Sequence, residues 1–343
     1  MMLDAGIRPR MSVVLATPGG FDTIATTVRH LRRQTVAGRL ELIIVAESVD
    51  ALALDEKSVK GFWGYQVVNI GPFLSVGQAN AAGVRTARGE IVALAEDHCF
   101  PDPGWAAALI ERHARDDVAA VGPVFRNANP GTLVSWCDFI IGYGPWIDPA
   151  PDAEQPFLPG HNSSYKKAAL MEFRAQLEEL LEAETVLHVK MREKGHRLVL
   201  EPRAKTAHVN FAKLGSWLPV QYHCGRVYAA NRAQDWGWVK RALYVAASPL
   251  IPGIRLARAI RHMRRAQQSH PSPLRLGLLL GIGLAADGLG QLAGYLAGAG
   301  GSLGKLARME FRRIDHVPEE ERWLWTNLGE RVAEDANDGP GVM

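Results

Sequence analysis

Residues 91–105, IVALAEDHCFPDPGW, hold the most chemically loaded junction in the chain. An apolar run, Ile91 to Ala95, meets Glu96, Asp97 and His98 and is then broken by Pro101 and Pro103. Taking a charge out of water is expensive unless the charge is paired or ligates a metal. Two carboxylates and an imidazole at the mouth of an oily segment form a donor set for a divalent cation, and such a cation neutralises a diphosphate. The nitrogen of His98 suits Mn2+ better than Mg2+. The same residues would also serve as a polar cap on the turn before the prolines, and the acidic pair alone does not decide between the two.

Buried strands must position that junction. MSVVLAT (11–17) is a β-branched apolar run closed by Pro18-Gly19-Gly20, hence a buried strand and a turn. Residues 22–34 put Ile24, Val28 and Leu31 at helical spacing behind Asp22. LELIIVAES (40–48) and YQVVNI (65–70) are the next strands, a helix is expected over 75–89, and EIVALAE (90–96) is the fourth strand. Apolar strands alternating with helices imply βαβ units and a mostly parallel sheet. Right-handed crossovers gather the strand C-termini on one edge, where open sheets bind ligands. Further on, 105–116 reads as a helix, 118–125 as a strand and the region from there to Pro159 as irregular; a helix is expected from about Lys166, 178–194 reads as one amphipathic helix, and 196–209 as two short strands.

With 343 residues, 47% of them hydrophobic and 22% charged, the chain has ample material for a core. Cys99, Cys137 and Cys224 are far apart, with no CxxC spacing, which excludes a disulfide framework and a zinc ribbon and fits a reducing compartment. The N-terminal twenty residues lack the apolar core of a secretion signal. Net charge is only +3, yet residues 226–275 carry ten Arg or Lys against one acid, Asp235, so an anionic surface is expected beside them. No interleaved aromatics or helix-turn-helix pattern accompanies that strip, and nucleic acid is not expected as a partner.

Six ordered blocks resemble the family 2 inverting glycosyltransferases over roughly residues 11–230: MSVVLATPGGFDTIATTVRHLRRQTV, LELIIVAES, NAAGVRTARGEIVALAEDH, FPDPGW, PGHNSSYKKAAL and EAETVLHVKMREKGHRLVLEPRAKTAHV. The resemblance implies a GT-A fold, Rossmann-like with helices flanking the sheet, and a reaction that moves a sugar from a nucleoside-diphosphate sugar, UDP-linked by family default. Glu96 and His98 fall where the family's Asp-x-Asp motif has its acids, with Asp97 between them. Glu96 and Asp97 are thereby implied on the donor diphosphate, and Asp97 and His98 as ligands of Mn2+ or Mg2+. Counting back from Gly195 puts the general base on Glu184, with Ala183 where a Glu is expected and Glu182 as the fallback. A carboxylate there deprotonates the acceptor hydroxyl as it attacks the anomeric carbon. Both glutamates would also suit a solvated helix N-terminus. Thr17, Pro18, Glu47 and Asn80 are implied around the nucleoside, His208 on the metal or diphosphate, and Arg226 on the leaving diphosphate. His161 and Asn162 are implied on the acceptor. Trp105, Trp136, Trp146 and Tyr143 would suit either sugar stacking or core packing.

Past Tyr244 the texture changes. PSPLRLGLLLGIGLAADGLGQLAGYLAGAGG (271–301) is nearly uncharged and long enough to cross a ~30 Å hydrocarbon core. Gly277/Gly281 and Gly290/Gly294/Gly298 have the spacing that lets helices approach closely. Asp287, Gln291 and the basic residues on both flanks argue against a single crossing. A helix or hairpin dipping into one leaflet, together with 242–254, is expected; an oligomer interface is the other use of such a segment.

These readings divide the chain into a glycosyltransferase domain (1–240), a helical membrane-associating region (241–303) and a polar tail (304–343). They predict a metal-dependent glycosyltransferase at the cytoplasmic face of the cell membrane, working on cell-envelope polysaccharide with a glycan, lipid-linked or other hydroxyl acceptor. The rival reading is a membrane-tethered, non-catalytic sugar-nucleotide or glycan binder, favoured by Glu96, His98, Ala183 and Ala46 standing where acids are expected.

Overall fold

The structure, a computed structural model, describes residues 8–266 and 272–326; the expected polar tail lies outside the described residues from position 327 onward. In chain order come β1 (Met11–Thr17), α1 (Phe21–Arg32), β2 (Leu40–Ala46), α2 (Val49–Leu52), β3 (Gly64–Asn69), α3 (Val76–Thr86), β4 (Ile91–Ala95) and β5 (Cys99–Pro101). Next are α4 (Trp105–His113), β6 (Val118–Asn127), α5 (Leu133–Tyr143), β7 (Ser164–Lys166), α6 (Lys167–Met171), α7 (Leu177–Glu182), α8 (Glu184–Glu193) and β8 (Arg197–His208). Then follow α9 (Leu214–Arg232), α10 (Trp238–Ala247), α11 (Ile251–Met263), α12 (Pro273–Ala297), α13 (Ser302–Glu310) and α14 (Trp323–Thr326).

The chain divides into two compact units. Of the described residues, one takes 8–124, 151–206 and 322–326, and the other takes those within 125–150 and 207–321. The strands form one sheet in the order β3-β2-β1-β4-β7-β6-β8-β5. β3, β2, β1 and β4 are mutually parallel, with Thr17 level with Ala46 and Leu15 level with Ala95. Thr17, Glu47 and Glu96 therefore leave the sheet at the same edge, as βαβ connections require. β7 departs from the parallel expectation: it runs antiparallel to both β4 and β6.

Alternation along the strands gives the first unit two cores. Val13, Leu15, Leu42 and Ile44 pack with Ile24, Val28 and Leu31 of α1 and Leu109 of α4. Val14, Ile43, Val45 and Val92 pack on the opposite face with Val84, Leu180, Leu181 and Leu187. Both faces are covered, so these strands read as continuous apolar runs. At about 1.5–3 kcal/mol for each fully buried aliphatic side chain, these two layers hold the edge that carries the polar residues.

The second unit is helical. α5 lies inside the stretch expected to be irregular, its N-terminus capped by Thr132 Oγ1 accepting from Ser135 N–H. α9 and α12 touch backbone to backbone: a Cβ on Gly290 would sit 2.0 Å from Tyr222 O, and one on Gly294 2.3 Å from Arg226 O. Of the glycines expected to bring helices together, Gly290 and Gly294 do so. Gly277 has nothing within 4 Å of such a Cβ, and Gly281 meets only Leu256 at 3.9 Å. Asp287 and Gln291 are buried and bonded to each other, and Asp287 pairs with Arg255 of α11. The polar residues that argued against a plain span thus face protein.

Candidate active site

Glu96, Asp97 and His98 leave β4 at the C-terminal edge of the sheet. The turn they form is held from both sides of the sequence. Thr27 Oγ1–H donates to Glu96 O (3.0 Å), and Cys99 Sγ lies 3.0 Å from Thr206 Oγ1. Thr27 was not anticipated, since a contact across 69 residues leaves no local pattern. His98 is 2% exposed, and its Nδ1 lies 2.6 Å from Asp97 Oδ1. That contact orients the ring, as a carboxylate behind a ligating histidine does. It also turns one Asp97 oxygen, expected to ligate directly, toward the imidazole. Nε2 of His98 is 3.8 Å from Glu96 Oε2. Two ligands at ~2.1 Å from one ion lie between ~3 Å and ~4.2 Å apart, so this oxygen–nitrogen pair fits a divalent cation.

β7 explains what stands opposite. Its antiparallel register sets Ser164 against Ala93, and Leu94 N–H donates to Ser163 O at 3.0 Å. The residues entering β7 therefore arrive beside the residues leaving β4. Asn162 Nδ2–H donates to Glu96 Oε2 at 2.5 Å, although the two are 66 positions apart. The adjacent His161 has Nδ1 2.9 Å from Glu184 Oε1. Gly160 completes the turn, and a Cβ there would lie 1.7 Å from Glu184 Oε2 and 2.2 Å from its Cδ. The turn 160–162 thus touches both candidate centres, the acidic triplet with one residue and the base candidate with the next.

The single helix expected over 178–194 is two helices, with Ala183 at φ −128°, ψ 63° between them. The break has a cause in Glu182, whose Oε2 accepts from Gly77 N–H at 2.7 Å at the start of α3. Glu182, the fallback base, is thereby engaged in capping α3. Glu184 becomes the first residue of α8 and faces the 160–162 turn, its side chain 12% exposed. Behind it, Tyr165 OH is 3.0 Å from His188 Nε2. Burial, then the Glu184 charge, push the Tyr165 hydroxyl well above its ordinary range. Burial lowers His188 to about 3, so the ring is neutral, accepting from Leu158 N–H at Nδ1 (3.4 Å).

The nucleoside-side residues are spread along the same edge. Thr17 is buried at the end of β1, pairing with Thr23 Oγ1 (2.9 Å) and accepting from Gly19 N–H (3.0 Å), with Pro18 next to it. Glu47 follows β2, is exposed, and accepts from Phe73 N–H at 2.7 Å. Asn80 is 3% exposed within α3.

Two expected residues fall in the second unit. His208 ends β8, with Nδ1 2.9 Å from Asn210 Oδ1 and its ring 4.4 Å from that of Tyr143. Arg226 lies in α9, where Nε–H donates to Gly298 O at 2.9 Å, and a Cβ on Gly300 would meet Nη2 at 2.6 Å. Its guanidinium thereby meets the C-terminal end of α12. Trp105 and Trp136 are 3% and 0% exposed and pack in the cores, so neither presents a face to a sugar.

Residues 12–174 match the model of glycosyl transferase family 2. No curated protein matches the sequence. Among solved structures, the chain is similar to a mannosyltransferase from Pyrobaculum calidifontis in complex with GDP-Man and Mn2+, at 20% identity over 95% of this chain and 85% of that one, TM-score 0.44. It is also similar to TarS 1–349 of S. aureus, at 16% identity over 84% and 90%, TM-score 0.45. A third similar structure is GalNAc-T7 with UDP, GalNAc and Mn2+, at 15% identity over 60% of this chain and 44% of that one, TM-score 0.46. The family match spans β1 through α6 and so contains Glu96, Asp97, His98 and the turn opposite them; residues 12–174 are similar to the glycosyl transferase family 2 domain.

Proposed function

We propose that the chain transfers a sugar from a nucleoside-diphosphate sugar, UDP-linked by family default, to a hydroxyl acceptor with inversion at the anomeric carbon, while docked on the cytoplasmic face of a membrane. The observation behind this is the 160–162 turn. Asn162 holds Glu96, His161 contacts Glu184, and the two carboxylates are thereby tied to one acceptor-facing loop. Inversion needs a proton acceptor on the side away from the leaving diphosphate, and Glu184 is the carboxylate that supplies the charge for it. Thr17, Pro18, Glu47 and Asn80 receive the nucleoside.

Glu96 and His98 hold the divalent cation, Asp97 orienting His98. β8 runs unbroken to His208, with Ala204, Thr206 and His208 all buried on one face of the strand. Thr206 abuts Cys99, next to His98. A bound Mn2+ or Mg2+ supplies Lewis-acid neutralisation of the departing diphosphate. Complexes of similar fold carry GDP-Man or UDP with Mn2+.

Membrane docking rests on the outer face of the helical unit. Trp238, Leu243, Leu250, Leu274 and Leu278 are 65–81% exposed, and Arg258 and Arg261 on α11 and Arg264 just after it are exposed as well. Stretches 238–263 and 273–297 are long and apolar enough to cross a bilayer. With α12 packed on α9 and its polar residues turned inward, we assign in-plane docking on anionic lipid. A cavity of about 350 Å³ lined by Ile260, Met263, Arg264, Pro273, Leu274 and Gly277 offers a lipid-linked acceptor an apolar floor and one guanidinium.

The test is turnover of UDP-glucose, UDP-N-acetylglucosamine, UDP-galactose and GDP-mannose with Mn2+ or EDTA, with octyl glycosides or water as acceptor. Metal-dependent release of nucleoside diphosphate, reduced at least ~10²-fold by Asp97→Ala or Glu184→Gln in proteins of unchanged Tm, is expected. Donor binding without turnover would establish the non-catalytic binder instead. Sedimentation with phosphatidylglycerol vesicles, weakened by Trp238→Ser/Leu243→Ser, checks the docking face; equal sedimentation of both proteins refutes it.

A further inference from the structure

Where α9 ends and α10 begins, two cations are gathered on aromatic rings. The Arg232 guanidinium lies 4.9 Å from the centre of the Tyr244 ring, 5.3 Å from that of Trp236 and 6.0 Å from that of Tyr228. The Lys240 ammonium lies 4.3 Å from the centre of the Trp236 ring. The rings are held from behind. Trp236 and Tyr244 pack on Tyr295 of α12, with centroids 5.9 Å and 5.5 Å away, and Tyr295 is 0% exposed. Arg232 Nη2–H donates to Tyr244 OH at 3.2 Å. Both cations are exposed, and among the described residues neither is paired with a carboxylate, Asp235 included. A guanidinium carries five N–H donors and an ammonium three, so two like charges converge on one indole with most of their donors turned to solvent. We infer that Arg232 and Lys240 form a binding site for the phosphate of an anionic phospholipid, with Trp236 and Tyr244 as its rigid wall.

The inference rests on the membrane-docking reading above and names the groups that read the lipid's charge. The surroundings select a lipid over a free phosphate. On α10, Trp238, Val239 and Leu243 are 81%, 63% and 65% exposed, and Ala242 and Ala246 are exposed between and beyond them. These residues share one helix face, and Lys240 and Tyr244, four apart, share its flank. A helix lying in the membrane interface sinks its apolar stripe to the acyl boundary, with cations and Trp or Tyr at headgroup depth. α10 and the end of α9 have both layers, in that order. The phosphodiester's two free oxygens suit a guanidinium fork on one side and an ammonium on the other. Charge complementarity extends outward, since residues 226–275 carry ten Arg or Lys against one acid, a field that draws the helical unit to an anionic leaflet.

The experiment sediments the full chain with phosphatidylcholine vesicles, with and without phosphatidylglycerol. Binding that needs phosphatidylglycerol is expected, weakened about 30-fold in Arg232→Gln/Lys240→Gln at unchanged Tm, or about fivefold per cation. Arg232→Lys keeps the charge and loses the fork, and a loss of several-fold is expected there too. Arg258→Gln/Arg261→Gln removes the same charge from α11 and should cost clearly less. Equal losses in the two double variants would mean diffuse attraction without a site, overturning the inference while the docking reading stands. Full binding by Arg232→Gln/Lys240→Gln does the same. So does competition by soluble glycerophosphate at millimolar concentration, which would make the ligand a free phosphate ester. Self-association of the chain that these substitutions abolish, with vesicle binding untouched, would assign the face to a second copy instead. A wild-type chain that does not sediment with phosphatidylglycerol vesicles overturns the inference and the docking reading together.

Discussion

Gly160→Ala is a one-carbon perturbation whose outcome follows from the contact it creates. The backbone at Gly160 belongs to a short 3-10 turn, and the residue is not among those with positive φ, so alanine is conformationally acceptable there. The added Cβ, however, would lie 1.7 Å from Glu184 Oε2 and 2.2 Å from Cδ. A carbon–oxygen contact needs roughly 3.3 Å, so the carboxylate must retreat by about 1.6 Å or the turn must move outward. A misplacement of about 1 Å in a catalytic constellation lowers the rate by ~10²-fold. Loss of at least that much kcat is expected, with little change in donor KM. Forcing a methyl into a packed site destabilises by about 1–3 kcal/mol, read as a fall in Tm of a few degrees. Glu184→Asp shortens the side chain by one methylene and should recover most of that stability in the double variant while activity stays low. The assay is nucleoside diphosphate release with Mn2+, run beside thermal unfolding of the four proteins of the cycle. A Gly160→Ala protein with wild-type kcat and Tm, or strictly additive Tm changes, would show that the two residues do not touch.

Two further outcomes follow from the buried ionisable groups. Burial lowers His30 to about 4 and His113 and His188 to about 3, against about 6.5 in the unfolded chain. The unfolded state therefore binds protons that the folded state refuses, and stability falls as pH drops below about 6.5, by ~1.4 kcal/mol per pH unit per histidine. Unfolding in urea at pH 7.5 and 5.5 should show this loss, reduced by one histidine's share in His113→Gln; an undiminished slope in that variant refutes the assignment. Arg255→Met removes the charge partner of the buried Asp287 carboxylate and leaves its bond to Gln291. A loss of about 3–5 kcal/mol is expected, with a smaller loss in Arg255→Met/Asp287→Leu; equal losses would mean the pair is not coupled.

Hydrophobic patterning alone marks the parallel half of the sheet and the edge on which its polar residues emerge. Apolar runs such as MSVVLAT and LELIIVA are buried on both faces, and that environment leaves its mark residue by residue. The acidic triplet was legible for the same reason: charge at the end of an oily strand needs a job. Tertiary structure decided which distant residues meet there. Nothing local in GHN says that Asn162 lies against Glu96, because the antiparallel entry of β7 sets that register. Nothing local separates Glu182 from Glu184 either. Only the approach of α3, whose Gly77 N–H claims Glu182, breaks the helix at Ala183 and turns Glu184 toward His161. The glycine spacing of α12 likewise marked a close helix contact, but which glycines make it depended on where α9 lies. Patterns of burial are written in the chain because each residue meets its own environment; pairings across many residues are not, because they depend on how the elements pack.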